Sequence, residues 1–259
     1  MSDNQHEGEF EEELVASSIN DQMVLISGLS GTGKSVSLMN IRDQEDWIYL
    51  NCEAGKKLPF RNKFNSYTIT DPFQIFEFLD AAADPANGVK GVIIDTISFL
   101  MEMYESVHVI NSAKLQAAWG SYNQFLKTLM QQKIARLQVP VIILGHTKAE
   151  FNEQSGTYDI AVPVKGAAKN QGVEAFFSCV VSTKKVAIKD IEAVGYDPQL
   201  LTITDQERKL KYKHVFQLQI TEKTTGERIR SPMFMWNDQQ TYMNNDAQLL
   251  IDWLTEFYK

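Results

Sequence analysis

Short apolar runs alternate with stretches of helical periodicity along the first part of the chain. The continuously apolar runs lie at 23–27, 47–51, 91–95 and 139–145. Runs of this kind are typical of parallel strands that are buried on both faces. The segments between them, notably 71–84 and 112–137, carry apolar residues at helical spacing. This alternation predicts an α/β domain with a mostly parallel central sheet and helices on both faces.

The pattern changes beyond residue 178. Strand-like runs at 179–188, 214–223 and 231–236 have no clear helical pattern between them, which predicts C-terminal antiparallel hairpin strands that extend the sheet. A closing amphipathic helix is predicted over 247–258. Residues 149–172 show no clear period, and an irregular loop of this length inside a compact domain is usually functional.

The composition is that of a globular chain, with 44% apolar and 22% charged residues among 259. No apolar run approaches the roughly 18–20 residues of a membrane span. The two cysteines, Cys52 and Cys179, are too few for a disulfide framework. We therefore expect a soluble protein of the reducing cytoplasm, without a membrane partner.

The net charge of −8 is unevenly distributed along the chain. Six acidic residues lie within the first thirteen positions: Asp3, Glu7, Glu9, Glu11, Glu12 and Glu13. Residues 1–18 are therefore predicted to form an acidic flexible tail, and residues 19–259 a nearly neutral domain. Such a tail suits a basic protein partner or mimicry of DNA, and it can equally serve solubility alone.

One segment matches the phosphate-binding pattern G-x-x-x-x-G-K-[ST]. It follows the run at 23–27 and precedes a helical stretch to about Arg42, which is the context the mechanism requires. Backbone N–H groups converge on phosphate oxygens, Lys34 reaches the β- and γ-phosphates, and Ser35 ligates Mg²⁺. The predicted nucleotide-binding residues are Gly28, Leu29, Ser30, Gly31, Thr32, Gly33, Lys34, Ser35 and Val36. The predicted cofactors are therefore ATP and Mg²⁺.

Three further residues stand at the ends of predicted strands. Asp95 would join Ser35 as a metal ligand, although it could simply cap the next helix. Glu53 could accept a proton from the attacking water, or be an ordinary exposed loop residue. His146 could contact the γ-phosphate and report its loss, or form hydrogen bonds away from the nucleotide. We assign Lys34, Glu53 and His146 as the candidate catalytic residues.

The order of these parts resembles the RecA-type ATPase core, over about residues 20–240. Within it, the chain is similar to small phage-encoded RecA-like proteins that act in single-strand annealing or recombination. The resemblance implies a RecA-like P-loop NTPase fold and Mg²⁺-dependent ATP hydrolysis stimulated by DNA. It also implies single-stranded DNA as a partner, a homo-oligomer (filament or ring), and a role in recombination, annealing or repair. A bacterial or phage-infected cytoplasm is the matching location.

The resemblance also assigns residues to DNA and to a neighbouring subunit. It places a first DNA loop at 101–114 and a second within 149–172. Lys148, Lys165 and Lys169 would face phosphates. Aromatic residues that flank or lie in the second loop give a separate indication, since Phe151 and Tyr158 could stack on bases. A final hairpin over 217–236 would present three cations to the neighbour's nucleotide: Lys223, Arg228 and Arg230.

Three other functions remain open on the sequence alone. A helicase-like ring motor shares the same core and the late hairpin. A P-loop small-molecule kinase shares Lys34 and Ser35, but such kinases usually carry an arginine-rich lid, and the arginines here are scattered. A nucleotide-dependent scaffold without hydrolysis would leave Glu53 as a bystander.

Overall fold

The structure, a computed structural model, describes residues 20–153 and 156–259. The strands in these ranges are β1 Met23–Gly28, β2 Trp47–Asn51, β3 Asn65–Thr68, β4 Gly91–Asp95, β5 Val141–His146, β6 Lys148–Asn152, β7 Thr157–Ala161, β8 Cys179–Ala187, β9 Tyr212–Gln217 and β10 Tyr242–Asn244. The α-helices are α1 Gln74–Ala83, α2 Ile97–Tyr104, α3 Leu115–Lys127, α4 Ala168–Gln171, α5 Ile188–Val194, α6 Asp205–Leu210 and α7 Ala247–Phe257. The predicted acidic tail, residues 1–18, falls outside the described residues, so the basic protein partner expected for it stays a prediction.

The main sheet has the strand order β10-β9-β8-β1-β5-β4-β2-β3. The strands from β8 to β3 pair in parallel, and β9 and β10 add antiparallel pairs at one edge. This confirms the predicted α/β fold of the RecA-like P-loop NTPase type, with its parallel sheet and C-terminal antiparallel strands. The nucleotide loop leaves β1 near the middle of the sheet.

Two apolar layers cover the two faces of the sheet. Leu25 of β1 packs on the side that carries α1, α2 and α3, together with buried Ile94 and Ile143. Its neighbours Val24 and Ile26 pack on the opposite side, which carries α7. Because both faces are covered, the central strands are apolar throughout, as their sequences indicate. In the described ranges, no helix is both long and apolar enough to cross a bilayer.

The irregular loop predicted over 149–172 contains regular structure, so that prediction was wrong. The strands β6 and β7 form an antiparallel hairpin from Lys148 to Ala161, and α4 follows. Most side chains of both strands are exposed. A hairpin with neither face buried lacks the alternation of apolar and polar residues by which strands are recognised.

Three other segments differ from the sequence prediction. The helices α5 and α6 lie between β8 and β9, where no helical pattern was clear. The proposed first DNA loop at 101–114 continues α2 through a π-helical turn over Glu105–Val109, because apolar side chains such as Tyr104 and Val109 are buried. The strand predicted at 231–236 is instead a turn region, and the last strand of the sheet is β10. The final hairpin expected over 217–236 is therefore absent from that segment.

Candidate functional site

The nucleotide loop follows directly from β1. That strand ends at Gly28, and a 3-10 helix spans Ser35–Asn40, slightly shorter than the helix to about Arg42 that the sequence predicts. The order of strand, glycine-rich loop and helix is the one a phosphate-binding loop requires.

Lys34 is folded back into the loop. Only 6% of it is exposed, and its Nζ donates to the carbonyl oxygens of Gly28 at 2.8 Å and Leu29 at 2.9 Å. Burial lowers the pKa of Lys34 to about 8, although the nearby carboxylates of Asp95 and Glu53 oppose this shift. An ammonium held by neutral carbonyls can exchange them for phosphate oxygens, which bind it more strongly.

Asp95 is the buried carboxylate beside the loop. Its Oδ2 accepts from Tyr49 OH at 2.6 Å and from Ser35 Oγ at 3.2 Å, whereas its Oδ1 is buried without a hydrogen-bond partner. Burial raises the pKa of Asp95, against the opposing hydrogen bond from Tyr49. Asp95 does not cap the next helix, because Thr96 does so by accepting the N–H of Phe99 at 3.4 Å.

The oxygens of Ser35 and Asp95 fit a magnesium ion. Mg²⁺ prefers hard oxygen ligands, and a buried carboxylate oxygen without a hydrogen-bond partner calls for a further partner such as a cation. These two residues would hold the ion, which neutralises charge on a triphosphate when it is bound.

Glu53 and His146 contact each other across the intervening strand β4. Glu53 Oε1 lies 2.9 Å from His146 Nε2, and Lys56 Nζ donates to Glu53 Oε2 at 2.7 Å. Burial opposes the ionisation of Glu53, but the hydrogen bonds from Lys56 and His146 outweigh it, so the pKa of Glu53 lies below its ordinary value. An ionised carboxylate in this position can accept a proton from water.

The parallel register brings these groups to one edge of the sheet. Gly28 at the end of β1 lies opposite His146 of β5, and Asn51 of β2 lies opposite Asp95 of β4. A cavity of about 760 Å³ covers this edge, within the usual size range of small-molecule sites. The candidate catalytic, metal-binding and nucleotide-binding residues thus converge, as the sequence predicts.

Four residues of the site escaped sequence analysis. Tyr49 and Lys56 belong to the same chain segment as Glu53, and the spacing of Lys56 three positions after Glu53 is a weak local signal. His214 and Asn245 line the cavity from the C-terminal strands. They are 182 and 212 positions from the loop residues they contact, so no local pattern could reveal them.

The predicted DNA-binding lysines surround a second cavity, of about 320 Å³, beside the β6–β7 hairpin. Its lining includes Lys148, Lys165, Lys169 and Arg228. Three of these cations are paired with carboxylates: Lys165 Nζ lies 2.7 Å from a Glu105 oxygen, Lys169 Nζ lies 3.0 Å from a Glu150 oxygen, and Arg228 is paired with Glu174. The structure therefore gathers residues that are widely separated in the sequence.

The predicted stacking residues are a ring pair on the hairpin. Phe151 lies opposite Tyr158, with ring centroids 5.3 Å apart, and they are 55% and 59% exposed. Phe177 is buried, and Phe176 is partly buried against the same core.

The cations predicted to act on a neighbouring subunit lie on the segment that was wrongly predicted to form a hairpin. Arg228 Nη1 lies 3.5 Å from Glu174 Oε2, and Arg230 Nη1 donates to the carbonyl oxygen of Phe177 at 3.3 Å. Lys223 is exposed within a short 3-10 helix over Glu222–Thr224. The two arginines thus contact their own chain.

Removal of Lys56 is expected to move the acid limb of the pH–rate profile to higher pH. The Lys56 ammonium helps to keep the pKa of Glu53 low. Its removal therefore raises the pKa of Glu53, and as the pH is lowered this carboxylate becomes protonated at a higher pH than in the wild-type protein. The check is kcat/KM for ATP from about pH 4 to about pH 8 in Lys56→Met. Exposed Lys63, changed to Met, is the matched control, and an acid limb that is unchanged in Lys56→Met would contradict the prediction.

Comparison with known proteins gives the family. The model of the AAA domain matches residues 20–228. A solved structure, the KaiC-like protein of the hyperthermophilic archaeon Pyrococcus horikoshii OT3, shares 12% identity with a TM-score of 0.43, over 79% of this chain and 81% of that one. No curated protein sequence matches the chain. Because the family model covers most of the chain, including the whole nucleotide loop, the chain belongs to the AAA domain family of P-loop ATPases.

Proposed function

We propose that the chain is an ATP-dependent single-stranded-DNA-binding protein of phage-type recombination, annealing or repair. The observation that carries the proposal is the contact between Glu53 and His146, 2.9 Å long. His146 ends β5, and the hairpin with its exposed aromatic pair begins two residues later, at Lys148. A change at the γ-phosphate would therefore reach the hairpin through a very short length of chain.

Hydrolysis would depend on residues already in place around the cavity. Lys34 would exchange its two carbonyl partners for the β- and γ-phosphate oxygens. Glu53 would take the proton of the water that attacks the γ-phosphorus, and its hydrogen bond with His146 would change as it does so. Mg²⁺ would be held by Ser35 and Asp95.

The carbonyl oxygen of Gly28 offers a second route from the nucleotide to the hairpin. It accepts from Lys34 Nζ at 2.8 Å and also from the N–H of Thr147 at 3.1 Å. If Lys34 moves to the phosphates, the Gly28 carbonyl oxygen loses the bond from Lys34 and keeps the bond from Thr147. Thr147 immediately precedes β6, so ATP binding would alter the support at the base of the hairpin.

The DNA surface would consist of the hairpin and the second cavity. Phe151 and Tyr158 would stack on bases, at about 1–3 kcal/mol for each base. Lys148, Lys165 and Lys169 would bind phosphates, the last two after release from Glu105 and Glu150. Because those carboxylates compete with phosphate, we expect moderate affinity that falls steeply with salt.

The proposal is tested by ATP turnover with and without oligo-dT, over a range of salt concentrations. We expect stimulation at low salt that is lost as salt displaces the oligonucleotide, and no turnover in Lys34→Ala. Turnover that ignores single-stranded DNA at every salt concentration would reject the DNA part of the proposal. Accumulation of a phosphorylated acceptor instead of free phosphate would favour a kinase.

Replacement of Lys165 and Lys169 by alanine is expected to weaken binding of single-stranded DNA and to flatten its salt dependence. Each lost phosphate contact should reduce the slope of log K against log salt by about 0.7. The measurement is the fluorescence anisotropy of labelled oligo-dT at several salt concentrations. Exposed Lys127, on α3, serves as the control when changed to alanine. An unchanged slope in the double variant would show that these lysines do not contact phosphates.

We extend the proposal to a homo-oligomer, either a filament or a ring. Lys223 is exposed, and it remains the best placed of the three proposed trans-acting cations because Arg228 and Arg230 contact their own chain. ATPase activity per protein molecule should then rise with protein concentration. It should fall in Lys223→Ala without a change in ATP affinity.

A further inference from the structure

Three side chains from the C-terminal half of the sheet contact the nucleotide loop from one side. They are Thr183 on β8, His214 on β9 and Asn245, which follows β10, and together we call them the bracket. The role inferred for the bracket rests on the proposed nucleotide site and concerns how that site keeps its shape.

His214 holds the carbonyl group of Thr32. The distance from His214 Nδ1 to the Thr32 oxygen is 2.8 Å. A carbonyl oxygen can only accept, so Nδ1 carries the hydrogen, in the neutral ring as well as in the imidazolium ion. The contact therefore does not depend on the charge of the histidine.

Asn245 holds the carbonyl group of Gly33 in the same way. Its Nδ2 donates to the Gly33 oxygen at 2.8 Å, and that oxygen also accepts the N–H of Ser37 at 3.0 Å. A Cβ atom at residue 33 would lie 2.7 Å from Asn245 Nδ2 and 3.5 Å from His214 Nδ1, at a φ of +111°. Glycine is needed there for its backbone conformation and because the bracket is packed against it.

Thr183 completes the bracket at the start of the loop. Its Oγ1 lies 2.5 Å from Thr32 Oγ1, and a methyl group on Gly28 would overlap it. The adjacent Asp246 fixes the position of Asn245, because Asp246 caps α7 and its carboxylate accepts from Asn40 at 2.7 Å. The loop is thus held by residues from three separate C-terminal elements.

These contacts determine where the backbone N–H groups of the loop point. In a planar trans peptide, the C=O of one residue and the N–H of the next point in opposite directions. The peptide bonds that join Thr32, Gly33 and Lys34 are trans. Because His214 and Asn245 hold the oxygens of Thr32 and Gly33, the N–H groups of Gly33 and Lys34 are directed away from the bracket.

We propose that His214 and Asn245 are positioning residues for phosphate binding, since they fix the orientation of the Gly33 and Lys34 N–H groups. Without the bracket, the loop would have to lose part of its conformational freedom when the phosphates bind, which costs binding free energy. The expected consequence is weaker binding of any phosphate chain, whether or not it carries a nucleoside.

The test compares His214→Leu with His214→Asn. Asparagine places an amide nitrogen where Nδ1 stood, whereas leucine fills similar space without a donor. We expect His214→Leu to weaken the binding of both ATP and inorganic tripolyphosphate about three- to tenfold, the range for one lost hydrogen bond, and His214→Asn to recover most of it. Dissociation constants come from competition against a fluorescent ATP analogue, with thermal unfolding measured in parallel. Asn245→Asp, which places an oxygen against the Gly33 carbonyl, should show a larger loss of both ligands.

Each alternative has a distinct result. Weaker ATP binding with unchanged tripolyphosphate binding would mean that His214 contacts the nucleoside, which overturns the proposal. Unchanged affinities with a lower unfolding temperature would mean a purely structural role and would also overturn it. If the wild-type protein bound neither ligand, the proposed nucleotide site itself would fail, and this inference with it.

Discussion

Glu53→Gln is expected to lower kcat for ATP hydrolysis by about 10²–10⁴-fold, the range that a general base contributes. Glutamine keeps the shape of the side chain and can still hydrogen-bond with His146, but it cannot take a proton from water. Glu53 would act on the attacking water, whereas Lys34 would hold the phosphates, so the dissociation constant for ATP should change little. The measurement is single-turnover hydrolysis combined with equilibrium binding of ATP.

This variant also separates hydrolysis from scaffolding. If nucleotide binding alone controls the protein, Glu53→Gln should still bind single-stranded DNA in the presence of ATP, and Lys34→Ala should not. A Glu53→Gln protein that hydrolyses ATP at the wild-type rate would remove the catalytic assignment. The contact with His146 would then be explained only as a polar link between strand ends.

The residues of the site that could be predicted from sequence either lie in a recognisable motif or stand at the ends of parallel strands. The segment from Gly28 to Ser35 carries its own signature. Asp95, Glu53 and His146 were predicted because each follows an apolar run, and parallel strands bring such positions to one edge of the sheet. Their convergence around one cavity follows from the strand order.

The missed features have no comparable local signal. His214 and Asn245 touch the loop only because β9 and β10 are added beside β8, and nothing near them in the sequence marks that arrangement. The β6–β7 hairpin was missed because both of its faces are exposed.

The error at 231–236 has the opposite origin. Met233 and Phe234 are apolar and suggest a buried strand, yet they are 76% and 91% exposed. Apolar residues are buried only on average, so the prediction of a buried strand at 231–236 was wrong. The assignment of basic and aromatic residues to a DNA surface stays a prediction.

Asp95→Asn is expected to reduce ATP hydrolysis by at least about 100-fold while leaving the fold as stable as before. The activity prediction follows from the loss of the charged oxygen that we propose binds Mg²⁺, since metal assistance is worth several kcal/mol in the transition state. The stability prediction follows from burial. Asp95 is only 3% exposed, and its raised pKa means that folding disfavours the ionised form.

The sign of the stability effect follows from linkage. A carboxyl group whose pKa is raised in the folded state destabilises that state at a pH above its folded pKa, where it must be ionised. A neutral amide removes this cost, so the unfolding midpoint of Asp95→Asn at neutral pH should be unchanged or higher. The oxygen of the new amide can still accept from Tyr49.

The test compares the thermal unfolding midpoints of Asp95→Asn and the wild-type protein without nucleotide, together with the ATPase activity of the same preparations. If both the unfolding midpoint and the activity fell strongly, Asp95 would be needed to maintain the end of its strand. If the activity were lost while the midpoint stayed the same or rose, the fold would retain this buried charge for catalysis.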